Sequence, residues 1–433
     1  MSSESKNNDQ ANDDQSRADE LRYEQLLAEA AKVKGTSLWQ DAKKRLRRDR
    51  GATVSMYFLI AICLSAVFAP LLPLQSPVVQ NLNNRQFLPP TTSNAIYKVE
   101  VESDAEVESV QPQVKVGHVS LNLVEKLKQF NDEVVAIREQ LKPAKGKQRS
   151  ELQIELENKY AVDHPYFKVW NQPDWLTRQM IHIRVMIFGD YCVPSLFGTD
   201  KLGRDVLSRV FWGSRVSLMA GVIATLVSLF IGVSYGAISG YYGGTIDAVM
   251  MRIVDILYSI PFIFIVIFVM TLISQENIKL LIESLGLNQL LVFYIIIGLI
   301  YWLTMARVVR GQILSLKNEQ FVDAARVVGA NNFRIIFCHL VPNTMGIVIV
   351  YLTLTIPAVM RFEAFLSFLG VGVSPPDVSW GLLVNEGIQV ITPVRIYWWL
   401  VLFPGLTLTL TLLALNFLGD GLRDALDPRM KNK

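Results

Sequence analysis

Side chains capable of covalent or metal chemistry are few in this chain and poorly placed for it. The histidines, His118, His164, His182 and His339, and the cysteines, Cys63, Cys192 and Cys338, never fall at the short spacings that bring several ligands to one metal ion, so no metal site is expected. Gly146-Lys147 is followed by Gln148 rather than Ser or Thr and lacks the upstream glycine of a phosphate loop. No catalytic residue and no bound cofactor are therefore assigned. What the sequence does offer is charge pairing and docking. In FGTDKLGRDVLSRVFWGSRVSLMAG, residues 197–221, the carboxylates Asp200 and Asp205 interleave with Arg204, Arg209 and Arg215. That spacing suits ion pairs along an interfacial helix, with Gly203 and its fellow glycines allowing close packing on a membrane face.

A second segment, FVDAARVVGANNFRIIFCHLVP at residues 321–342, is broken and partly polar, yet lies between two very hydrophobic stretches. It reads as two short helices. Asn318 is the expected N-cap of the first, Gly329 to Asn332 the break, and Pro342 the end of the second. Val327, Val328, Phe333, Ile336, Phe337 and Leu340 recur near helical spacing and so form an apolar strip in search of a partner.

The elements that must position these segments are membrane helices. Hydrophobic residues make up 51% and charged residues 19% of the 433 positions, and mean hydropathy is +0.30, which points to a membrane protein. Six runs without Asp, Glu, Lys, Arg or His, at 52–74, 216–239, 256–275, 288–306, 344–360 and 396–418, are each long enough to span a bilayer core. Basic residues cluster beside them at Lys43 to Arg50, at Arg307, Arg310, Lys317, Arg326 and Arg334, and at Arg423 to Lys433, which puts those segments and both termini on the cytoplasmic side. Trp39, Trp302, Trp398 and Trp399 near span ends suit an aromatic belt. With Cys63 in a span, Cys192 outside and Cys338 inside, no two cysteines share an oxidising compartment, and a disulfide framework is excluded.

Four unequal parts result: residues 1–50, a polar tail that becomes a basic interfacial helix; 51–74, the first span; 75–192, an extracytoplasmic insertion; and 193–433, a core with the remaining five spans. Within the insertion Leu123, Leu127, Phe130, Val134, Ile137 and Leu141 form a heptad seam, residues 142–147 break it, and Leu152, Leu156 and Tyr160 line a second piece, predicting a helical hairpin. Gly232, Gly236 and Gly240 give the second span a small-residue face, and Pro261 is positioned to kink the third. Residues 361–387, with Phe368, Gly370, Pro375, Pro376 and Trp380, are too broken to cross the bilayer and read either as a re-entrant gate or as a loop resting on the outer leaflet.

Taken together these motifs resemble a known family. Asp323-Ala324-Ala325, Gly329 and Leu340-Val341-Pro342 resemble the EAA loop of binding-protein-dependent ABC importer permeases. GTDxxGRDxLSRxxxGxRxSL, GYYGG, Ser259-Ile260-Pro261, LSFLGVGVSPPxxSWG and GDGLRDALDPR together resemble the C-type permease of dipeptide, oligopeptide and nickel importers, over residues 193–429. The resemblance implies an all-α, six-span membrane subunit of type I ABC importer architecture in a bacterial inner membrane. It would pair with a second, homologous permease and two ATPase subunits that hold ATP and Mg, and receive peptide from an extracytoplasmic binding protein.

By the same resemblance Asp323, Ala324, Ala325, Gly329, Leu340 and Pro342 would form the coupling dock for the ATPase. Two departures stand out: Asp323 replaces the usual Glu, and the insertion is longer than the family explains. Nickel or another small solute is the alternative cargo. An ion-coupled transporter should carry ionisable groups in its spans, and these runs have none. A membrane sensor should carry a long cytoplasmic output domain, which is also missing. The net charge of +3 follows from topology and gives no sign of nucleic-acid binding.

Overall fold

The structure, a computed structural model, describes residues 44–82, 85–92, 122–170, 173–285 and 287–426. The expected polar tail and most of the basic interfacial helix, Trp39, His118 and the end of the closing motif after Leu426 lie outside those residues. The described chain is helical, and its helices in order are α1 Arg50–Phe68, α2 Leu123–Leu141, α3 Lys147–Asn158, α4 Pro165–Trp170, α5 Trp175–Phe188, α6 Val206–Tyr242, α7 Gly244–Ser259, α8 Phe262–Ile273, α9 Glu276–Ser284, α10 Gln289–Leu316, α11 Gln320–Val327, α12 Asn332–Phe368, α13 Trp380–Gln389 and α14 Trp399–Leu426. Several begin where a short polar side chain takes up a free backbone N–H: Asp49 before α1, Asp205 before α6, Asn288 before α10, Asn331 before α12 and Ser379 before α13.

Five stretches are long and apolar enough to cross a membrane: Arg50–Leu71, α6, α10, α12 and α14. The expected third span, 256–275, is not one helix. Ile260 and Pro261 are extended, and α7 and α8 meet at 79°, because proline cannot donate to the preceding turn and disfavours helical geometry in the residue before it. With 12 residues, α8 is about 18 Å long, short by itself of a hydrocarbon core of about 30 Å; only as one bent pair do α7 and α8 make a sixth crossing.

Other spans outrun their uncharged stretches, α10 to Leu316 and α14 to Leu426 among them. The helix of the second span starts at Val206 rather than 216 and takes in Arg209 and Arg215, and that of the fifth continues past 360 to Phe368 and takes in Glu363. Ionisable groups are thus present in the spanning helices after all. Glu363 is fully buried, with its carboxylate accepting from Ser367 Oγ at 2.8 Å.

The close packing of α6 on α10 holds the core together. Gly232 faces Met305, Gly236 faces the Ala306 carbonyl and Gly240 faces Arg310 and Ile313, while Gly298 of α10 returns the contact to Ala224 and Val227. Ala220 and Ala224 of α6, Val266 and Met270 of α8, Phe293 and Ile297 of α10 and Val359 and Leu366 of α12 close into one apolar cluster. α1 packs along α14, where Gly421 receives Ala52. The belt expectation fails for two tryptophans. Trp302 is buried edge-on to Tyr235, and Trp399 is buried with its indole N–H donating to the Thr199 carbonyl, whereas Trp398 is half exposed.

The insertion contains the expected hairpin. α2 buries Leu123, Phe130, Val134 and Ile137, and α3 returns alongside it. Lys159 pairs with Glu133 at 2.8 Å, and Tyr160 meets Phe130 edge-on at 5.5 Å.

A side chain at position 236 would place its Cβ 2.3 Å from the Ala306 carbonyl oxygen, whereas a Cβ at Gly311 would meet nothing within 4 Å. Gly236→Leu is therefore expected to abolish the monodisperse peak in detergent size-exclusion chromatography, and Gly311→Ala to leave both peak and melting temperature unchanged.

Candidate functional site

The segment that connects α10 to α12 forms one firm unit with an uncovered apolar face. Val322 of α11 and Ile335, Ile336 and Leu340 at the start of α12 are buried in a cluster with Val233 and Ala237 of α6 and Met305, Val309 and Ile313 of α10. The connection between the two helices is a Schellman turn: Gly329 N–H donates to Arg326 O at 2.9 Å and Ala330 N–H to Ala325 O at 3.0 Å. Gly329 has φ +84°, a left-handed conformation that favours glycine, although the space around it is open. Any side chain there would act on the backbone rather than through a clash.

Two expected boundaries are corrected. Asn318 does not cap α11, because one more turn of chain follows α10 and Glu319 takes the N-cap position without a side-chain bond. Pro342 does not end the second helix but lies inside α12. A π turn over Ile335–Leu340, in which Val341 N–H reaches back to Ile336 O, shifts the hydrogen-bond register just before the proline that has no N–H to give.

Of the expected docking residues, Asp323, Ala324 and Gly329 are exposed, Ala325 is half-buried, Leu340 is fully buried and Pro342 is exposed at the foot of α12. Asp323 pairs with Arg326 at 2.9 Å, an exposed pair worth little by itself. Arg326 also stands 5.9 Å over the Tyr241 ring, and Tyr241 Oη donates to Asn332 Oδ1 at 2.9 Å, so the end of α6 reaches both arms of the turn. The uncovered face consists of Val327, Val328 and Phe333, exposed by 88%, 87% and 70%.

The charged motif at the other end of α6 differs in form from expectation. Residues 199–205 are a tight loop closed by a bridge between Thr199 and Asp205, not an interfacial helix, and Gly203 (φ +73°) lies directly against the Asn81 carbonyl. Arg204 meets Asp200 at 2.7 Å and Glu386 at 3.1 Å, and Arg209 meets Asp200 at 2.7 Å and Glu386 at 2.5 Å. The two acids and two bases form one largely buried network that ties α6 to α13. Arg215 stands apart from it, stacked over Trp212 and donating to Thr177.

Arg209 was already part of the expected charged motif, but its partner Glu386 was missing. They lie 177 positions apart, so no local spacing links them. Burial opposes ionisation of Glu386, but the charges and hydrogen bonds of Arg209 and Arg204 prevail and hold its carboxyl below the ordinary range. Burial pushes Asp205 up to about 6, against the hydrogen bond from Ser208 N–H.

The expected outer loop is mostly fixed in protein. Phe368 closes α12, Gly370 (φ +78°) turns the chain, and Pro375-Pro376, joined by a cis peptide, are exposed. Trp380 is fully buried, its indole N–H donating to Val210 O at 2.9 Å and its backbone N–H to Ser217 Oγ at 3.1 Å. It therefore works as a wedge between α13 and α6.

Sequence comparisons place the chain among known transport proteins. Residues 232–432 match the family described as binding-protein-dependent transport system inner membrane component, and residues 37–90 match the N-terminal TM domain of oligopeptide transport permease C. The chain is 48% identical over 233 residues to the oligopeptide transport system permease protein OppC of Haemophilus influenzae, covering 54% of this chain and 70% of that one. It is 46% identical over 235 residues to the dipeptide transport system permease protein DppC of Bacillus subtilis, covering 54% and 69%. Against OppC of Escherichia coli it is 46% identical over 233 residues, covering 54% and 72%.

Removing a partner from a buried ion network costs about 3–5 kcal/mol, so Glu386→Ala should clearly lower the melting temperature at pH 7. Because the folded pKa of Glu386 is depressed, its contribution is complete above the ordinary glutamate value of about 4.3 and is lost as pH falls through the folded value. Melting curves of Glu386→Ala and the parent chain should converge in acid. Asp205 has the opposite sign: its folded pKa is raised, so its contribution is lost as pH rises from the ordinary aspartate value of about 3.9 toward 6.

Proposed function

We propose, from the premise that this chain belongs to the binding-protein-dependent transport system inner membrane component family, that it forms half of the pathway of an ATP-driven importer of di- or oligopeptides. Transport is the family's role; peptide as the cargo rests on relatives named as oligopeptide and dipeptide permeases at 46% to 48% identity. In this reading the other half comes from a second, homologous permease. Of two ATPase subunits one docks at α11, and an extracytoplasmic binding protein delivers substrate to the end of α6 that carries Val206. The α11 segment and both termini then face the cytoplasm, in keeping with the basic residues Arg307, Arg310, Lys317, Arg326 and Arg334. ATP and Mg would be held entirely by the ATPase subunits.

The observation that carries the reading is the uncovered Val327, Val328 and Phe333 face on a turn whose reverse side, Val322, Ile335, Ile336 and Leu340, is buried against α6 and α10. A partner seated there pushes directly on two spanning helices. Exposed Ala324 and the glycine turn leave room for close approach, and the Asp323–Arg326 pair offers a polar rim.

Reconstitution of the complex copurified with this chain in proteoliposomes tests the assignment. Peptide uptake should require ATP and the binding protein; uptake driven by an ion gradient alone, or purification with no ATPase attached, would overturn it. Gly329→Val, which forces a branched side chain into a left-handed backbone, should insert normally yet lower uptake and coupled ATP hydrolysis by at least about tenfold. Val327→Ser with Val328→Ser should leave the melting temperature intact and weaken retention of the ATPase on an affinity column.

A further inference from the structure

α5 presents an apolar face that no part of the described chain covers. On its inner side Thr177, Ile181 and Arg184 are buried, with Ile181 packed among Leu123, Tyr166, Val169 and Trp170. On its outer side Trp175, Leu176, Ile183, Met186 and Ile187 are between 45% and 74% exposed. An aqueous surface helix should be polar on that side, and one with this pattern needs an apolar neighbour.

Two tethers fix the level at which α5 lies. Near its start, Thr177 Oγ1 accepts from Arg215 Nη2 at 3.2 Å, and Arg215 is the last charged residue of α6 before its uncharged run. Seven residues later Arg184 donates through Nε to Leu72 O at 3.0 Å and through Nη2 to Leu74 O at 3.2 Å, immediately past Leu71, where the first apolar stretch ends. These are the points where two separate spans pass from apolar to polar sequence. Both lie on the membrane face opposite α11, which packs at the other end of α6. A helix tied to both points runs along the membrane boundary.

We infer that α5 is an in-plane interfacial helix, seating Trp175, Leu176, Ile183, Met186 and Ile187 in the headgroup–acyl boundary of the leaflet opposite the coupling segment. Its chemistry agrees: α5 contains no acidic residue, carries Arg178 and exposed His182, and begins on a tryptophan, the composition favoured where apolar chains meet phosphate headgroups. The lipid contact would also set the height of the α2–α3 hairpin, since Tyr166, Val169 and Trp170 of α4 rest on Ile181 together with Leu123 of α2. The inference does not depend on which solute is carried.

Nitroxide labels at Ile183→Cys and, separately, Met186→Cys test it, in full-length chain carrying Cys63→Ser and Cys338→Ser, with buried Cys192 left in place. The labelled complex is reconstituted in nanodiscs of phosphatidylcholine and phosphatidylglycerol, and collision with oxygen is compared with collision with a water-soluble nickel chelate. Glu151→Cys on exposed α3 is the aqueous reference. Chelate accessibility at both α5 positions should be at least about threefold below the reference, with oxygen accessibility above it, as for side chains within the acyl boundary. Chelate accessibility equal to the reference would show that the face meets water, and exclusion of both reagents would show that protein covers it; either result overturns the inference.

Discussion

Gly232, Gly236 and Gly240 place the backbone of α6 against the backbone of α10, and the other elements are built on that pair. Between helices in lipid there is little hydrophobic gain from association, so attraction must come from dispersion over a close, well-fitted surface. Three glycines a turn apart provide such a surface, and Gly298 extends it from the opposite helix. The apolar seat of the α11–α12 turn consists of residues from the same two helices, Val233 and Ala237 on one side and Met305, Val309 and Ile313 on the other. A shift in the α6–α10 contact would therefore displace the exposed Val327, Val328 and Phe333 face as well.

At the far end of α6 the controlling term is electrostatic. Taking Asp200, Arg204, Arg209 and Glu386 out of water costs several kcal/mol per ion, and mutual attraction offsets this only when the geometry is good and the remaining hydrogen-bonding positions are filled. The network meets much of that demand, because the two guanidiniums share both carboxylates at 2.5 to 3.1 Å. Glu386 lies on α13, whose first residue, Trp380, is already anchored to Val210 and Ser217 of α6. One charged and one neutral anchor, at opposite ends of a 10-residue helix, leave α13 no freedom to slide along α6.

Sequence patterns revealed much of this and concealed the rest for identifiable reasons. The heptad seam from Leu123 to Leu141, the glycine stripe of α6, the break at Pro261 and the turn at Gly329 were all legible, because each depends on local geometry that a residue type enforces. Span ends were misplaced wherever a charge was taken as a boundary. Arg209, Arg215 and Glu363 continue their helices because each has a partner brought from elsewhere in the chain, and a run of uncharged residues carries no information about partners. Pro342 was misread as a stop because proline usually is one; the π turn before it, which makes it tolerable, leaves no trace in composition.

The contrast between α6–α10 and α7–α8 shows where the molecule is stiff. α6, with 37 residues, is about 55 Å long and carries the apolar seat of α11 at one end and the ionic network at the other. α7 is held to this pair by Asp247, which accepts from Ser239 and Arg310, and by the Arg307–Asp255 pair. Past Ile260 the helical hydrogen-bond ladder is interrupted and the direction changes by 79°. α11 rests on α6 and α10, whose helical hydrogen-bond ladders run unbroken past it. The Ile260–Pro261 joint interrupts the ladder between α7 and α8, and the static bend of the pair sits there.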